Sequence, residues 1–201
     1  MRTLLVALAA AAGLTASAQD AGTAGRPDAK EDRPKFIVPY VPTHPKVVEA
    51  MLKTAAVKAG ETVYDLGCGD GRIVIAAVKD FGAKRGLGID LIPERLKDCE
   101  KSVADARLTP EQTRALTFKK GDVLKLTAED FKDVDVVTLY LLPSVNRELY
   151  PVLRAGLKKG ARVVSHDFEM RGRDNKVLWE PERTVQVEAD RTHTVYLWTI
   201  K

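Results

Sequence analysis

The chain has 201 residues, 45% hydrophobic and 30% charged, the size and mixture of a single globular domain that buries one core without help from disulfides or structural metal. Its formal net charge of +4 is too mild and too dispersed to argue for nucleic acid, and no nucleic-acid partner is expected. With only two cysteines, Cys68 and Cys99, it has neither a disulfide framework nor a cysteine-built metal centre, and both thiols are expected to be free and packed.

Arg2 precedes an apolar run from Leu4 to Leu14 and then Ala16-Ser17-Ala18, the small-residue pattern at which signal peptidase cuts. Residues 1–18 are therefore expected to be a signal peptide and the mature chain to be exported to the periplasm; a cytoplasmic location follows instead if the run is a retained alanine-rich helix. Residues 19–35 are small, charged and proline-containing, a composition too polar to order itself, and are read as a flexible leader. The domain is expected over residues 36–201, opening with an extended apolar segment, Phe36 to Thr43, around Pro39 and Pro42. No later apolar run reaches the length of a membrane span, and a monomer is expected.

After Pro45, residues Val47, Val48, Met51, Leu52 and Ala55 recur at helical spacing, and Gly60 ends the helix. Glu61 to Leu66 is β-branched and apolar and runs into Gly67-Cys68-Gly69-Asp70-Gly71. Ile73, Ala76, Ala77 and Phe81 then resume a helical period, giving strand, glycine loop and helix. Gly86 to Leu91 reads as a second buried strand, followed by a charged helix from Pro93 through Leu96, Cys99 and Val103. Further strands are expected at Ala115 to Lys120, Val134 to Leu142 and Ala161 to Phe168, with a helix from Ser144 to Leu157. This alternation predicts an α/β fold with a parallel sheet covered on both faces. The end departs from it: Thr184 to Ala189 and His193 to Ile200 alternate as strands around Asp190-Arg191-Thr192 and predict an antiparallel hairpin, with Trp179 and Trp198 packing it.

The carboxyl ends of such strands are where a ligand with a charged amino-acid tail and a nucleoside finds its contacts. Gly67, Gly69 and Gly71 let the backbone approach closely, and Asp65 can face an ammonium group. Asp90, twenty-three residues after Gly67 at the end of the second strand, can accept from both ribose hydroxyls. Asp122, ahead of Val123 and Leu124, offers an acceptor beside apolar walls, as an adenine requires. A nicotinamide fingerprint is excluded, because Gly-x-Gly-x-x-Gly would place its third glycine at Arg72 or Val74. No Gly-Lys-Ser or Gly-Lys-Thr follows, so the loop is not a P-loop. His44 and His193 have no partner at a metal-ligand spacing, and no metal is expected.

Tyr40-Val41-Pro42-Thr43, the Asp65 to Arg72 loop, Gly88-Ile89-Asp90, Gly121-Asp122, Thr138 to Pro143 and Ser165-His166-Asp167-Phe168 resemble the class I, seven-strand S-adenosylmethionine-dependent methyltransferases. More narrowly, they resemble bacterial relatives of the mitochondrial lysine methyltransferase that modifies the ATP synthase c-subunit. The resemblance covers about Phe36 to Lys201. It implies a Rossmann-like sheet, mainly parallel with an antiparallel C-terminal hairpin, and S-adenosyl-L-methionine as cofactor on Asp65, Gly67, Gly69, Asp90 and Asp122. It also implies that Tyr40, Thr43 and Tyr140 to Pro143 border the transferring methyl group.

Methyl transfer to an amine is a displacement that asks mainly for alignment, dryness and a neutral nucleophile. Tyr140, just past the fourth strand, is placed to accept a hydrogen bond from a lysine amine, while His166 and Asp167 at the end of the fifth are placed to orient substrate. With the resemblance, which implies a lysine acceptor, the expected activity is that of a protein-lysine methyltransferase. A non-catalytic nucleoside-binding module and a methyltransferase acting on a quinone or phenol are the alternatives the sequence leaves open.

Overall fold

The computed structural model describes residues 40–201. The expected signal peptide, the leader and residues 36–39 of the opening segment lie outside the described residues. In chain order the elements are α1 (Pro45–Thr54), β1 (Thr62–Leu66), α2 (Arg72–Phe81), β2 (Arg85–Asp90), α3 (Pro93–Asp105), α4 (Pro110–Ala115), β3 (Leu116–Lys120), β4 (Val136–Leu139), α5 (Pro143–Gly156), β5 (Arg162–His166), β6 (Arg183–Glu188) and β7 (Thr192–Thr199). Two short 3-10 turns, Val123–Lys125 and Ala128–Phe131, join β3 to β4.

The strands form one seven-stranded sheet in the order β3-β2-β1-β4-β5-β7-β6. Neighbours among β1 to β5 are parallel, and β7 is antiparallel to both β5 and β6. The predicted α/β sheet with its C-terminal hairpin is thus present, but the later strand of the hairpin, not the earlier, docks on β5. Side-chain chemistry decides this: β7 buries His193, Val195, Leu197 and Trp198, whereas β6 buries none of its residues and suits the exposed edge.

Register lays the side chains out in rows. Tyr64, Val137, Val163 and Trp198 align across four strands on the face covered by α5. The adjacent row, Asp65, Thr138, Val164 and Leu197, lies on the face covered by α1 and α2. In α1, His44 accepts from the Lys46 backbone N–H at 3.2 Å and Pro45 occupies the first turn, where its missing N–H costs nothing. Val47, Val48, Met51 and Leu52 are buried, as their spacing predicts.

Two elements differ from the sequence reading. The helix α4 carries no buried residue and therefore no apolar period; it is held by reciprocal bonds between Thr109 and Gln112 at its start. The strand expected over Val134 to Leu142 is confined to Val136–Leu139, so Tyr140 to Leu142 bend over the end of the sheet instead of extending it. Among the described residues no helix is long and apolar enough to cross a membrane.

Candidate active site

Strand β1 pairs with β2 on one side and with β4 on the other, so the connections leaving β1 and β4 part in opposite directions and open a cleft at their carboxyl ends. Asp65, Gly67 and Gly69 line it from β1 and its loop, Asp90 from β2, Asp122 and Val123 from beyond β3, and Tyr140 from beyond β4. Tyr40 and Thr43 close one side.

Asp65 is 2% exposed and accepts from Thr138 Oγ1 at 2.6 Å, its only side-chain hydrogen bond among the described residues. Burial raises its pKa to about 7; the Thr138 bond opposes the rise, and the neighbouring charges of Asp90 and Asp70 add to it. Asp90 is fixed from both sides, its Oδ2 accepting from Gly69 N at 2.9 Å and its Oδ1 from Ile92 N at 3.0 Å. Each oxygen keeps a lone pair for a further donor. Asp122 Oδ1 accepts from Leu124 N at 3.0 Å and so turns the backbone at the cleft's far end.

The loop needs its glycines for two reasons at once. Gly69 has φ +55°, and a Cβ there would lie 2.4 Å from Cε2 of Tyr40. Gly67 has φ +80°, and a Cβ there would lie 2.5 Å from Cδ2 of Leu141. Both the conformation and the close passage of the cleft walls exclude a side chain.

Arg72 ties this loop to the segment across the mouth. Its Nε donates to both oxygens of Asp70, at 2.9 and 3.0 Å, and its Nη1 to the carbonyl of Thr43 at 2.8 Å. Burial pushes the Asp70 carboxyl up, but the hydrogen bonds and charge of Arg72 outweigh it and hold the group below the ordinary carboxylate range. The Arg95 guanidinium lies 4.3 Å from the centroid of the Tyr40 ring, whose hydroxyl is pushed up by burial and by Asp70.

Behind the cleft, the Tyr140 ring stacks on His166 with centroids 3.8 Å apart and on Phe168 at 6.0 Å. His166 is buried, and burial lowers its pKa to about 4. Its Nδ1 lies 3.3 Å from Thr43 Oγ1 and its Nε2 2.8 Å from His193 Nδ1. The metal spacing that His193 lacks along the chain is therefore supplied by strand pairing: ligand-type atoms of His166, Asp167 and His193 lie within 4.8 Å of one another.

Four residues expected in the site stand off the cleft wall. Gly71 starts α2 and packs beneath Phe118 and Cys99. Pro143 is committed to the first turn of α5. His166 stands behind Tyr140, and Asp167, with φ +59°, turns toward β7, where Thr194 N donates to it at 2.8 Å and Arg191 forms an ion pair with it. Burial raises the Asp167 carboxyl, but those two donors bring it below its ordinary range. The sequence reading gave no role in the site to Thr138, Arg72, Arg95, Phe168 or His193. Of these, Thr138 was within reach, because a polar residue inside a buried strand needs a partner. Both cysteines are buried and unbonded; the Cys68 thiol is pushed up by its contact with Cys99 and by burial.

Residues 65–177 match the family described as the ANTKMT methyltransferase domain. A protein-lysine N-methyltransferase of Saccharolobus islandicus (strain REY15A) is 42% identical over 164 residues, covering 81% of this chain and 94% of that protein. The adenine nucleotide translocase lysine N-methyltransferase of Mus musculus is 34% identical over 157 residues, covering 77% of this chain and 61% of that protein. A crystal structure described as an RNA methyltransferase from Salinibacter ruber, in complex with S-adenosyl-L-homocysteine, superposes with a TM-score of 0.68 at 45% identity, covering 80% of this chain and 94% of that one.

Proposed function

We propose, from the premise that the chain belongs to the ANTKMT methyltransferase domain family, that it methylates lysine amines of a protein partner. The chain is a methyltransferase that uses S-adenosyl-L-methionine. Lysine as acceptor is supported above all by the Saccharolobus islandicus relative, 94% of which this chain covers.

The cleft fits the cofactor residue by residue. Asp65 is a buried carboxyl with a single donor, and an ammonium group supplies the counter-charge it lacks. Asp90 retains lone pairs for two hydroxyls, and Asp122 with Val123 and Leu124 pairs a polar atom with apolar walls, as an adenine requires. When bound, the cofactor supplies a methyl group on a positively charged sulfur. Tyr40, Thr43 and Tyr140 border the acceptor, exclude water and hold the amine's approach to one direction.

The test begins with calorimetric titration of the protein with S-adenosyl-L-methionine and with NAD; binding of NAD alone would refute the reading. Asp90→Ala is expected to weaken cofactor binding by about 1–3 kcal/mol, through lost hydroxyl contacts and a freed Gly69 N–H. Labelled methyl is then offered to cell protein and to total RNA in parallel, since the Salinibacter ruber structure is described as an RNA methyltransferase. Radioactive methyllysine in the protein hydrolysate supports the proposal, and label in RNA alone replaces it.

A further inference from the structure

We propose that Thr43, His166, His193 and Asp190 form a path that carries the acceptor's proton from the cleft to solvent. The proposal rests on the amine-acceptor reading above and deepens it.

The four side chains form a continuous hydrogen-bonded row. Thr43 lines the cleft, and its Oγ1 lies 3.3 Å from His166 Nδ1. His166 Nε2 lies 2.8 Å from His193 Nδ1, and His193 Nε2 lies 3.0 Å from Asp190 Oδ1. The imidazole side chains are 1% and 5% exposed, whereas that of Asp190 is 64% exposed, at the tip of the β6–β7 hairpin. Both nitrogens of both rings are therefore engaged, and the row opens at one end on the cleft and at the other on water.

A metal ion is the competing reading, since His166 Nε2 and His193 Nδ1 each lie 3.3 Å from Asp167 Oδ2. Arg191 donates to that same oxygen, which would set a cation against a fixed positive charge. The 2.8 Å separation of the two ring nitrogens is that of a hydrogen bond between them. The charged and titratable groups facing the row are Asp167 and Asp190, which favour a transient imidazolium, Arg191, which opposes it, and Tyr140, stacked on His166; His44 also acts on Asp190.

A lysine enters the cleft as an ammonium and must lose one proton before its lone pair can take a methyl group. The ammonium N–H breaks as the proton passes to Thr43 Oγ1, whose own proton moves to His166 Nδ1. The proton on His166 Nε2 moves to His193 Nδ1, and that on His193 Nε2 leaves through Asp190 to water. The balance is ammonium to neutral amine, with one proton delivered to solvent. His166, held near 4 by burial, passes the proton on and does not retain it.

Two measurements on the full chain test this. The first is methyl transfer to poly-L-lysine as a function of pH, with and without His193→Gln. The variant is expected to lose about a hundredfold in kcat at pH 7, the low end of what proton transfer by side chains contributes, with KM for S-adenosyl-L-methionine unchanged. The deficit should shrink toward pH 10, where free amine is abundant; an equal deficit at every pH would overturn the path. If His193→Gln does not fold, Asp190→Asn at the exposed end carries the same test. The second measurement needs no turnover: ring-nitrogen NMR of the protein alone, in which Asp190→Asn should shift the His166 nitrogens through His193. His166 signals that stay in place would also overturn the path. Failure of poly-L-lysine to accept label from the parent enzyme counts against the amine reading, and the NMR result then decides the path by itself.

Discussion

Replacing Asp65 with asparagine should make the cofactor-free protein more stable above pH 7 and, at the same pH, weaken its hold on S-adenosyl-L-methionine more than tenfold. The folded-state pKa of about 7 lies above the unfolded value, so the folded chain binds the extra proton. The stability associated with this group is fully present below about pH 4 and is lost as pH rises through 7. At 1.36 kcal/mol per unit over the roughly three units between 4 and 7, the loss is of the order of 4 kcal/mol. Asparagine keeps an oxygen for the Thr138 hydroxyl and carries no charge, so its stability should be flat where the parent's declines. Binding moves the other way, because the ammonium needs the carboxylate. Parent affinity should rise about tenfold per unit up to pH 7 and then level off, whereas the variant should show no such slope and forfeit a charged contact worth about 1.5–3 kcal/mol. Urea melts at pH 5 and pH 8, with calorimetry at both, measure the two halves; parallel curves for parent and variant would remove Asp65 from the ammonium site.

Trp198→Ala is expected to cost about 3–5 kcal/mol, the usual range for emptying a buried aromatic site. Trp198 is fully buried in the row that crosses β5, its Nε1 donates to the Trp179 carbonyl at 2.7 Å, and its ring lies 5.7 Å from Trp179 and 6.0 Å from Tyr196. Truncation removes the packing and leaves that carbonyl without its donor. Trp198→Phe should recover part of the packing and still leave the carbonyl unpaired, at about 1–3 kcal/mol. Urea denaturation of the two variants tests this order, and a loss below 1 kcal/mol for alanine would mean that the hairpin is not part of the cooperative unit.

What could be read from the sequence was what depends on neighbours along the chain. The α1 face, the strand running into Gly67, Asp90 at the end of β2 and Asp122 just beyond β3 are local patterns, and the fold keeps them. Contacts created by strand register were out of reach. Thr138 meets Asp65 because β4 pairs beside β1, and His193 meets His166 because β7 turns back along β5. His166 and Asp167 were rightly placed at a strand end, but the sequence had no means of showing that Tyr140 would fold over His166 and take its place on the cleft wall. The helix α4 escaped because it buries nothing, and periodicity reports only on what is buried.

The interior position of β7 sets a constraint on biosynthesis. As the chain leaves the ribosome, β1 to β5 can pair with one another, but the outer edge of β5 then has no partner, and β6 has nothing to pair with until β7 follows it. Through that interval the nascent chain carries an open row of backbone donors and acceptors beside an unfilled tryptophan site, a template for pairing with other chains. Docking of β7 closes the edge of β5, fills the tryptophan site and gives β6 its partner.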